Sequence, residues 1–185
     1  MLFGGLRKRI GMYSFNKERS RVEQHRRMTN IQDAKRIGIL YTLDEIQDYE
    51  RVSVFVSELQ HKHKEVKALG FVKNKNLISR FLPKLSFDFF SKKDLTWFNK
   101  PIHSTVRDFI DNDFDILIDL SIQDIFPLKY ISGLSRSFCR VGRFSDENTL
   151  FYDFMIDSKS IVNIEEYLHQ IKHYLTVINC NEKGI

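Results

Sequence analysis

The residues of this chain that could do chemistry stand at the ends of apolar, strand-like runs. The run FDILIDLS (114–121) closes with an aspartate and a serine, and the run FCRVGRF (138–144) carries an arginine near its end. In open α/β sheets, ligands bind beyond the carboxyl ends of the strands, because loops and helix N-termini converge there. Five polar residues at such ends form a predicted ligand pocket: Thr42, Asp44, Asp119, Ser121 and Arg143.

The turn after the first predicted strand, YTLDEIQ (41–47), does not have the composition of a phosphate-binding loop. A dinucleotide fold needs glycines at this point so that the backbone can approach a pyrophosphate, and a P-loop needs GxxxxGK[ST]. Asp44 and Glu45 would instead repel a phosphate. We therefore predict no nucleotide cofactor at this turn.

Carboxylates at the strand ends could in principle hold Mg²⁺, which prefers oxygen ligands. Acids at the starts of helices also cap the backbone and interact favourably with the helix dipole, and this second interpretation is preferred for Asp44, Asp119, Asp124 and Asp157. His169 and His173 have i, i+4 spacing, but no third ligand is spaced nearby. No metal site and no cofactor are predicted.

The sequence offers no nucleophile in a recognisable setting. GLSRSF (133–138) lacks the GxSxG pattern of a nucleophile elbow, and Cys139 and Cys180 match neither a zinc-site spacing nor a disulfide framework. No catalytic residue is assigned, and we expect a non-enzymatic protein. The scarcity of cysteine favours the reducing cytoplasm as its location.

The positive charge of the chain is concentrated near its N-terminus. Of the 29 Lys/Arg residues, ten lie in residues 1–36 against three acids, a net charge of +7, which leaves 19 basic and 21 acidic residues elsewhere, a net charge of −2. A segment so polar is expected to bury little area, so it either forms a helix or becomes ordered on a partner. The predicted nucleic-acid-binding residues are Arg7, Lys8, Arg9, Lys17, Arg19, Arg21, Arg26, Arg27, Lys35 and Arg36.

Three interpretations of this basic segment are open. Its cations and interleaved aromatic residues suit RNA, through phosphate neutralisation and base stacking. The stretch MLFGGLRKRIGMYSF (1–15) could instead lie on an anionic membrane surface, or the segment could be a solvated tail. RNA, including ribosomal RNA with protein partners in the same assembly, is the preferred partner, and a membrane surface is the less favoured one. Trp97 and Phe98 form a further candidate stacking surface, although a tryptophan more commonly anchors a loop on the core.

Strand-like and helix-like patterns alternate through the rest of the chain. KRIGILYTL (35–43) and EVKALGFV (65–72) read as buried strands around an amphipathic helix from Glu45 to about His63, which together make a right-handed β-α-β unit. Further strands are predicted at 84–90, 114–121, 138–144 and 151–157, and further helices at 104–111, from Pro127 for about two turns, and over NIEEYLHQIKHYLTVI (163–178). The fold class is α/β, a three-layer Rossmann-like sandwich with a mostly parallel, doubly wound sheet of five to six strands.

The predicted organisation is an N-terminal arm (residues 1–34), one α/β domain (35–179) and a tail (180–185). No apolar run approaches the roughly 18 to 20 residues that span a bilayer, and the N-terminus lacks the pattern of a secretion signal.

The motifs of the domain resemble a family of small, uncharacterised bacterial proteins known as a domain of unknown function. They are AKRIGILYTLDE, VKALGFV, LPKLSFDFFSKKDLTWFNKP, FDILIDLS, FPLKYISGLS, VGRFSDEN and YDFMID, within residues 33 to 178. The resemblance implies no activity, because the family has no assigned catalytic residues. A weaker resemblance is to the N-terminal half of heptosyltransferase-type glycosyltransferases, in which a strand ending in aspartate precedes a helix and a strand like CRVGRF. It implies, as the alternative function, a sugar-nucleotide-binding half domain that uses Asp119, Ser121 and Arg143.

Overall fold

A six-stranded sheet is the centre of the computed structural model, which describes residues 2–74, 85–157, 161 and 163–178. The strands are β1 (Arg36–Leu43), β2 (Glu65–Val72), β3 (Phe87–Ser91), β4 (Ile116–Asp119), β5 (Cys139–Arg143) and β6 (Phe154–Ile156). Their order is β3-β2-β1-β4-β5-β6, and every pairing between neighbours is parallel. The predicted doubly wound parallel sheet is confirmed.

Five helices accompany the sheet: α1 (Leu2–Arg19), α2 (Ile46–His61), α3 (Ser104–Ile110), α4 (Phe126–Leu134) and α5 (Ile164–Val177). Successive side chains of a strand point to opposite faces, so a sheet covered on both sides has two cores. Ile39 and Tyr41 lie in the core under α2 and α5, whereas Leu40 lies in the core under α3 and α4. The three-layer arrangement is therefore also confirmed.

The four predicted strands after β2 are all shorter than their apolar patterns, and those at 114–121 and 138–144 become Ile116–Asp119 and Cys139–Arg143. The pattern at 84–90 becomes Phe87–Ser91, and residue 84 lies outside the described residues. The pattern at 151–157 becomes only Phe154–Ile156, because a 3₁₀ turn over Asp146–Leu150 precedes it. The Asp153 side chain, directly before the strand, binds Arg140. The predicted tail also lies outside the described residues.

The N-terminal arm begins with α1, and the expectation that the arm buries little area is wrong for one face of this helix. Gly11 and Phe15 are buried, and Phe15 is completely inaccessible to solvent. The Phe15 ring packs edge-on to Tyr130 of α4, with centroids 5.5 Å apart, and against Phe151 at 4.9 Å. Apolar residues spaced four apart fall on one side of a helix, which is why a segment of polar composition still docks.

Candidate functional site

A cavity of about 400 Å³ lies at the carboxyl ends of β4 and β5. The connection from β4 to α4 forms one wall, and the 3₁₀ turn after β5 forms the other. Lys8 of α1 reaches its rim, so the N-terminal arm contributes to the site. The principal polar lining residues are Lys8, Asp119, Ser121, Asp124, Lys129, Arg143, Asn148 and Tyr152.

Asp119 ends β4 as a buried carboxyl group held by two donors. The Ser121 backbone N–H donates to its Oδ1 at 2.9 Å, and the Tyr152 hydroxyl donates to its Oδ2 at 2.5 Å. Burial raises the pKa of Asp119 above its usual value, although its contacts with Ser121 and Tyr152 act in the opposite direction. Burial, followed by the nearby Asp119, raises the pKa of Tyr152 as well. The pair forms a rigid polar floor beneath the cavity.

Two buried polar atoms of the lining have no hydrogen-bond partner of normal geometry among the described residues. They are Ser121 Oγ and Asn148 Oδ1. Asn148 Nδ2 donates to the Arg143 carbonyl at 2.7 Å, which fixes the orientation of the amide and leaves its oxygen as a free acceptor. Because buried polar groups are nearly always satisfied, this pair indicates a place where water or a ligand belongs.

Three cations also line the cavity. Lys129 is only 7% exposed, and its ammonium lies 2.5 Å from Asp124 Oδ1 and 5.6 Å from the centroid of the Phe151 ring. The Arg143 guanidinium donates to the Ile122 carbonyl. Lys8 Nζ lies 3.1 Å from Glu147 Oε2, in a pair that is largely exposed. The cavity lining therefore combines these three cations with four carboxyl groups, Asp119, Asp124, Asp146 and Glu147.

Of the five residues predicted to form a pocket, three meet in this cavity and two do not. Asp119, Ser121 and Arg143 line it, whereas Thr42 and Asp44 are not among its lining residues. Asp44 instead accepts a hydrogen bond from Lys73 at 2.8 Å, and Lys73 also reaches Gln123 Oε1 at 2.9 Å. This bridge joins the segments that follow β1 and β4, and it commits Asp44 to a structural contact.

Most of the lining was not predicted from the sequence, and four of its residues show why. Lys8 and Tyr152 reach the cavity from segments far away along the chain, and no local sequence pattern predicts such contacts. Asn148 stands in SDENT, whose composition indicates only a turn. Lys129 did carry a signal, because it is the single charged residue in the apolar run of α4, and a lone charge on a buried helix needs a partner.

Metal binding has no visible basis in the described ranges, where no group of three His, Cys, Asp or Glu side chains could hold an ion. His169 and His173 lie on α5, and the second ring packs against Tyr174 with a centroid distance of 5.3 Å. Nor does any helix in the described part of the chain have the length and apolarity required to cross a membrane.

The cations of the N-terminal arm fall into two groups. Four contact the α/β domain: Arg7 binds Asn99, Lys8 binds Glu147, Arg26 donates to the Ser137 carbonyl at 2.5 Å, and the Arg27 guanidinium lies 5.0 Å from the centroid of the Phe138 ring. Burial, then repulsion from Arg140, lowers the pKa of Arg26 to about 10. These contacts fasten the arm to the domain.

The second group of cations faces solvent. Arg9, Tyr13 and Lys17 stand at i, i+4 and i+8 on α1, and all three are exposed, Tyr13 by 70%. Residues four apart on a helix are neighbours on one face, so the three side chains form a stripe, here called the outer stripe of α1. Arg19 is partly buried, whereas Arg21, Lys35 and Arg36 are exposed; the Lys35 and Arg36 backbone N–H groups donate to Asp115.

The loop that carries Trp97 lies beside α1. Asn99 and Lys100 bind Arg7 and Glu18 of the helix, and the Phe98 carbonyl lies against Gly11. Trp97 itself is 60% exposed and meets Phe98 edge to face, with centroids 5.6 Å apart. This tryptophan therefore does not anchor the loop in the core, and its ring is accessible.

Comparison with known proteins defines the relatives of this chain. None of the curated proteins is similar to it. Two similar solved structures are the E. coli heptosyltransferase WaaC with ADP and the same enzyme with ADP-2-deoxy-2-fluoro heptose. Each has 14% sequence identity and a TM-score of 0.48, over 80% of this chain and 50% of that chain. This chain thus spans about half the length of those enzymes.

A family match covers most of the sequence, including the greater part of α1 and the whole α/β domain. It extends over residues 7–178 and carries the description "Family of unknown function (DUF6913)". The predicted resemblance to an uncharacterised family is therefore confirmed, and the chain belongs to this family of unknown function.

Proposed function

We propose that this protein is a non-enzymatic RNA-binding module that contacts RNA through the outer stripe of α1. The observation that carries the proposal is the position of Tyr13, a highly exposed aromatic ring between two exposed cations, Arg9 and Lys17, on one helix face. Arginine and lysine neutralise phosphates, and an exposed ring stacks on a base of any identity. The stripe offers both interactions within about 12 Å of helix.

The contacts of the other cations narrow the proposed interface. Arg7, Lys8 and Arg26 bind the α/β domain, so they are less available to phosphates than the composition of the arm suggests. Arg9 and Lys17 have no ion pair among the described residues, and Arg21 adds an exposed cation two residues beyond the C-terminal end of α1. Tight docking of α1 also orders the stripe before RNA arrives, which reduces the entropy lost on binding.

Charge reversal of the stripe tests the proposal. Fluorescence anisotropy with a labelled single-stranded RNA is measured for the wild type, for Arg9→Glu/Lys17→Glu, and for Lys62→Glu/Arg107→Glu. The control pair changes the net charge equally, at the C-cap of α2 and on α3, and both side chains are exposed. We expect the stripe variant to lose at least tenfold in affinity and to reduce the salt slope by about 1.4, since each single-strand phosphate contact contributes about 0.7.

Deleting the arm would be a poorer test, because removal of Phe15 also removes core packing. Equal losses in both charge-reversed variants would show a response to net charge alone and would overturn the proposed interface, as would RNA binding without salt dependence. Co-sedimentation of the wild-type protein with ribosomes in a sucrose gradient would indicate a ribosomal RNA partner, and its absence would indicate another RNA.

Two other functions give different outcomes. A peripheral membrane protein would use the exposed Leu6 and Tyr13 of α1, would float with anionic vesicles and would lose flotation in Leu6→Asp. A sugar-nucleotide-binding half domain would be stabilised by a nucleotide sugar in a thermal-shift assay, through the cavity that Asp119, Ser121 and Arg143 line. If the protein does not bind RNA, flotation with vesicles would favour the membrane function, and thermal stabilisation by a nucleotide sugar would favour the half-domain function.

A further inference from the structure

We propose that the cavity at the ends of β4 and β5 binds a small polyhydroxylated ligand that carries one phosphate, a sugar phosphate. This site is separate from the outer stripe of α1, and it does not depend on RNA binding. It combines unsatisfied buried acceptors with cations, including a nearly buried lysine, in a space of about 400 Å³.

The unsatisfied atoms indicate the hydroxyl groups of the ligand. Asn148 Oδ1 is a hydrogen-bond acceptor, and the bond from Nδ2 of the same amide to the Arg143 carbonyl keeps the amide from presenting its nitrogen instead. Ser121 Oγ can donate or accept and is buried at the same cavity. Asp119 supplies further acceptor capacity at the floor. A ligand with several hydroxyl groups is both donor and acceptor, so it satisfies this set better than an anion alone.

The cations indicate the phosphate. Lys129 is on the first turn of α4, where the N-cap residue Ile125 makes no side-chain capping bond and also lines the cavity. Pro127 has no N–H, and the Leu128 and Lys129 N–H groups already donate to the Ile125 carbonyl, so the nearly buried Lys129 ammonium supplies the main attraction for an anion here. Lys129 and Lys8 are paired with Asp124 and Glu147, whose side chains are mostly exposed. Those carboxylates can turn to solvent when a phosphate takes their places.

The cavity volume limits the size of the ligand. About 400 Å³ is near the lower end of the range for small-molecule sites, roughly 300 to 1,000 Å³. One sugar ring with a phosphate fits this volume better than a nucleoside diphosphate sugar, which adds a second phosphate, a ribose and a base.

Calorimetric titration of the full chain tests the inference, with glucose 1-phosphate and ribose 5-phosphate as probes. Inorganic phosphate, glucose and uridine diphosphate glucose are the comparison ligands. We expect at least one sugar phosphate to bind at least tenfold more tightly than inorganic phosphate and glucose. Lys129→Met should weaken that binding at least tenfold, whereas Lys93→Met, at an exposed site away from the cavity lining, should leave it unchanged.

Ser121→Ala guards against a variant that only unfolds the protein. Its hydroxyl has no hydrogen bond of normal geometry in the free protein and only assists the Asp119 carboxylate, so its loss should change the melting temperature little and still weaken sugar phosphate binding severalfold. No response to either sugar phosphate at millimolar concentration would overturn the inference. Equal affinity for inorganic phosphate would overturn the sugar part of the inference, because the cavity would then be a simple anion site. Tighter binding of uridine diphosphate glucose would show that the ligand is a sugar nucleotide instead. RNA affinity of the same variants, measured separately, should not change.

Discussion

Phe15 of α1 and Gly133 of α4 are in such close contact that a Cβ atom placed on Gly133 would lie 2.5 Å from the Phe15 ring. Only a residue without a side chain lets the aromatic ring reach the helix backbone at this point. This contact, with the Tyr130 and Phe151 rings around it, joins the basic N-terminal helix to the α/β domain. The helix that carries the outer stripe is therefore held in a defined orientation.

The Phe15–Gly133 contact predicts that one substitution will change sign with its background. Gly133→Ala alone should destabilise the fold by about 1 to 3 kcal/mol, because the added methyl group overpacks a filled site. Phe15→Ala should cost about 3 to 5 kcal/mol. In the Phe15→Ala background the nearest atom to the added methyl group is Phe151 Cδ1 at 3.1 Å, and that ring can shift into the space left by Phe15, so Gly133→Ala should stabilise the helix by up to about 1 kcal/mol. Urea denaturation of the four proteins measures the coupling, and additive effects would contradict the contact.

Asp119 should make the free energy of unfolding depend on pH. Burial raises its pKa in the folded protein above the unfolded value of about 3.9, so its contribution is fully present below pH 3.9 and is lost as pH rises through the folded pKa. Asp119→Asn cannot ionise and keeps an acceptor for the Ser121 backbone N–H. The stability of the variant relative to wild type should therefore increase as pH rises from about 4. Urea denaturation from pH 4 to 7.5 measures this difference, and a constant difference would show that Asp119 does not titrate in this range.

Arg140 and Asp153 form an ion pair with the opposite pH dependence, in which the guanidinium is buried and the carboxylate is partly exposed. Arg140 is only 3% exposed, and its guanidinium donates twice to the Asp153 carboxylate, at 2.7 and 2.9 Å. Although burial acts to raise the pKa of Asp153, Arg140 and Arg26 outweigh it and hold that pKa below its usual value. This stability is present above about pH 3.9 and is lost as pH falls through the folded pKa.

Asp153→Asn should destabilise the fold by about 3 kcal/mol at pH 7, because a buried guanidinium is left without its counter-charge. The difference from wild type should begin to shrink below about pH 3.9, where Asp153 of the unfolded chain takes up a proton, and should be smallest below the lowered pKa of Asp153 in the folded protein. Asp146→Asn provides an exposed control within the same region of the chain. Thermal denaturation at pH 3 and pH 7 compares the three proteins, and an equal cost at both pH values would contradict the ionic origin.

Tyr13 should contribute to RNA affinity and not to stability. Its side chain is 70% exposed, so Tyr13→Ala should change the free energy of unfolding by less than about 0.5 kcal/mol. Loss of base stacking should weaken RNA binding by about 1 to 3 kcal/mol, while Tyr13→Phe, which keeps the ring, should bind nearly as wild type. Anisotropy titrations check this, and equal loss in both variants would assign the effect to the hydroxyl group.

The regular patterns of the domain were sufficient to predict its elements. The bounds of β1, α2, β2, α3 and α5 lie within about two residues of the predicted ones. Each helix buries one stripe of side chains and each strand buries both faces, so the apolar residues follow the period of the element. Prediction was weaker at β6, where the apolar residues Phe151 and Tyr152 pack around Phe15 and Asp119 instead of extending the strand. Local periodicity cannot distinguish these two uses of an apolar residue.

The sequence by itself determined the parallel α/β architecture, the strand ends at which Asp119, Ser121 and Arg143 stand, and the concentration of basic residues near the N-terminus. Only the tertiary structure decided which of those cations are committed and which are free, because pairing depends on contacts between distant segments, such as Lys8 with Glu147. It also brought Lys129, Asn148 and Tyr152 to the same cavity. Side-chain types and their spacing fix the elements, but a site made from several elements exists only when their packing closes the distances between them.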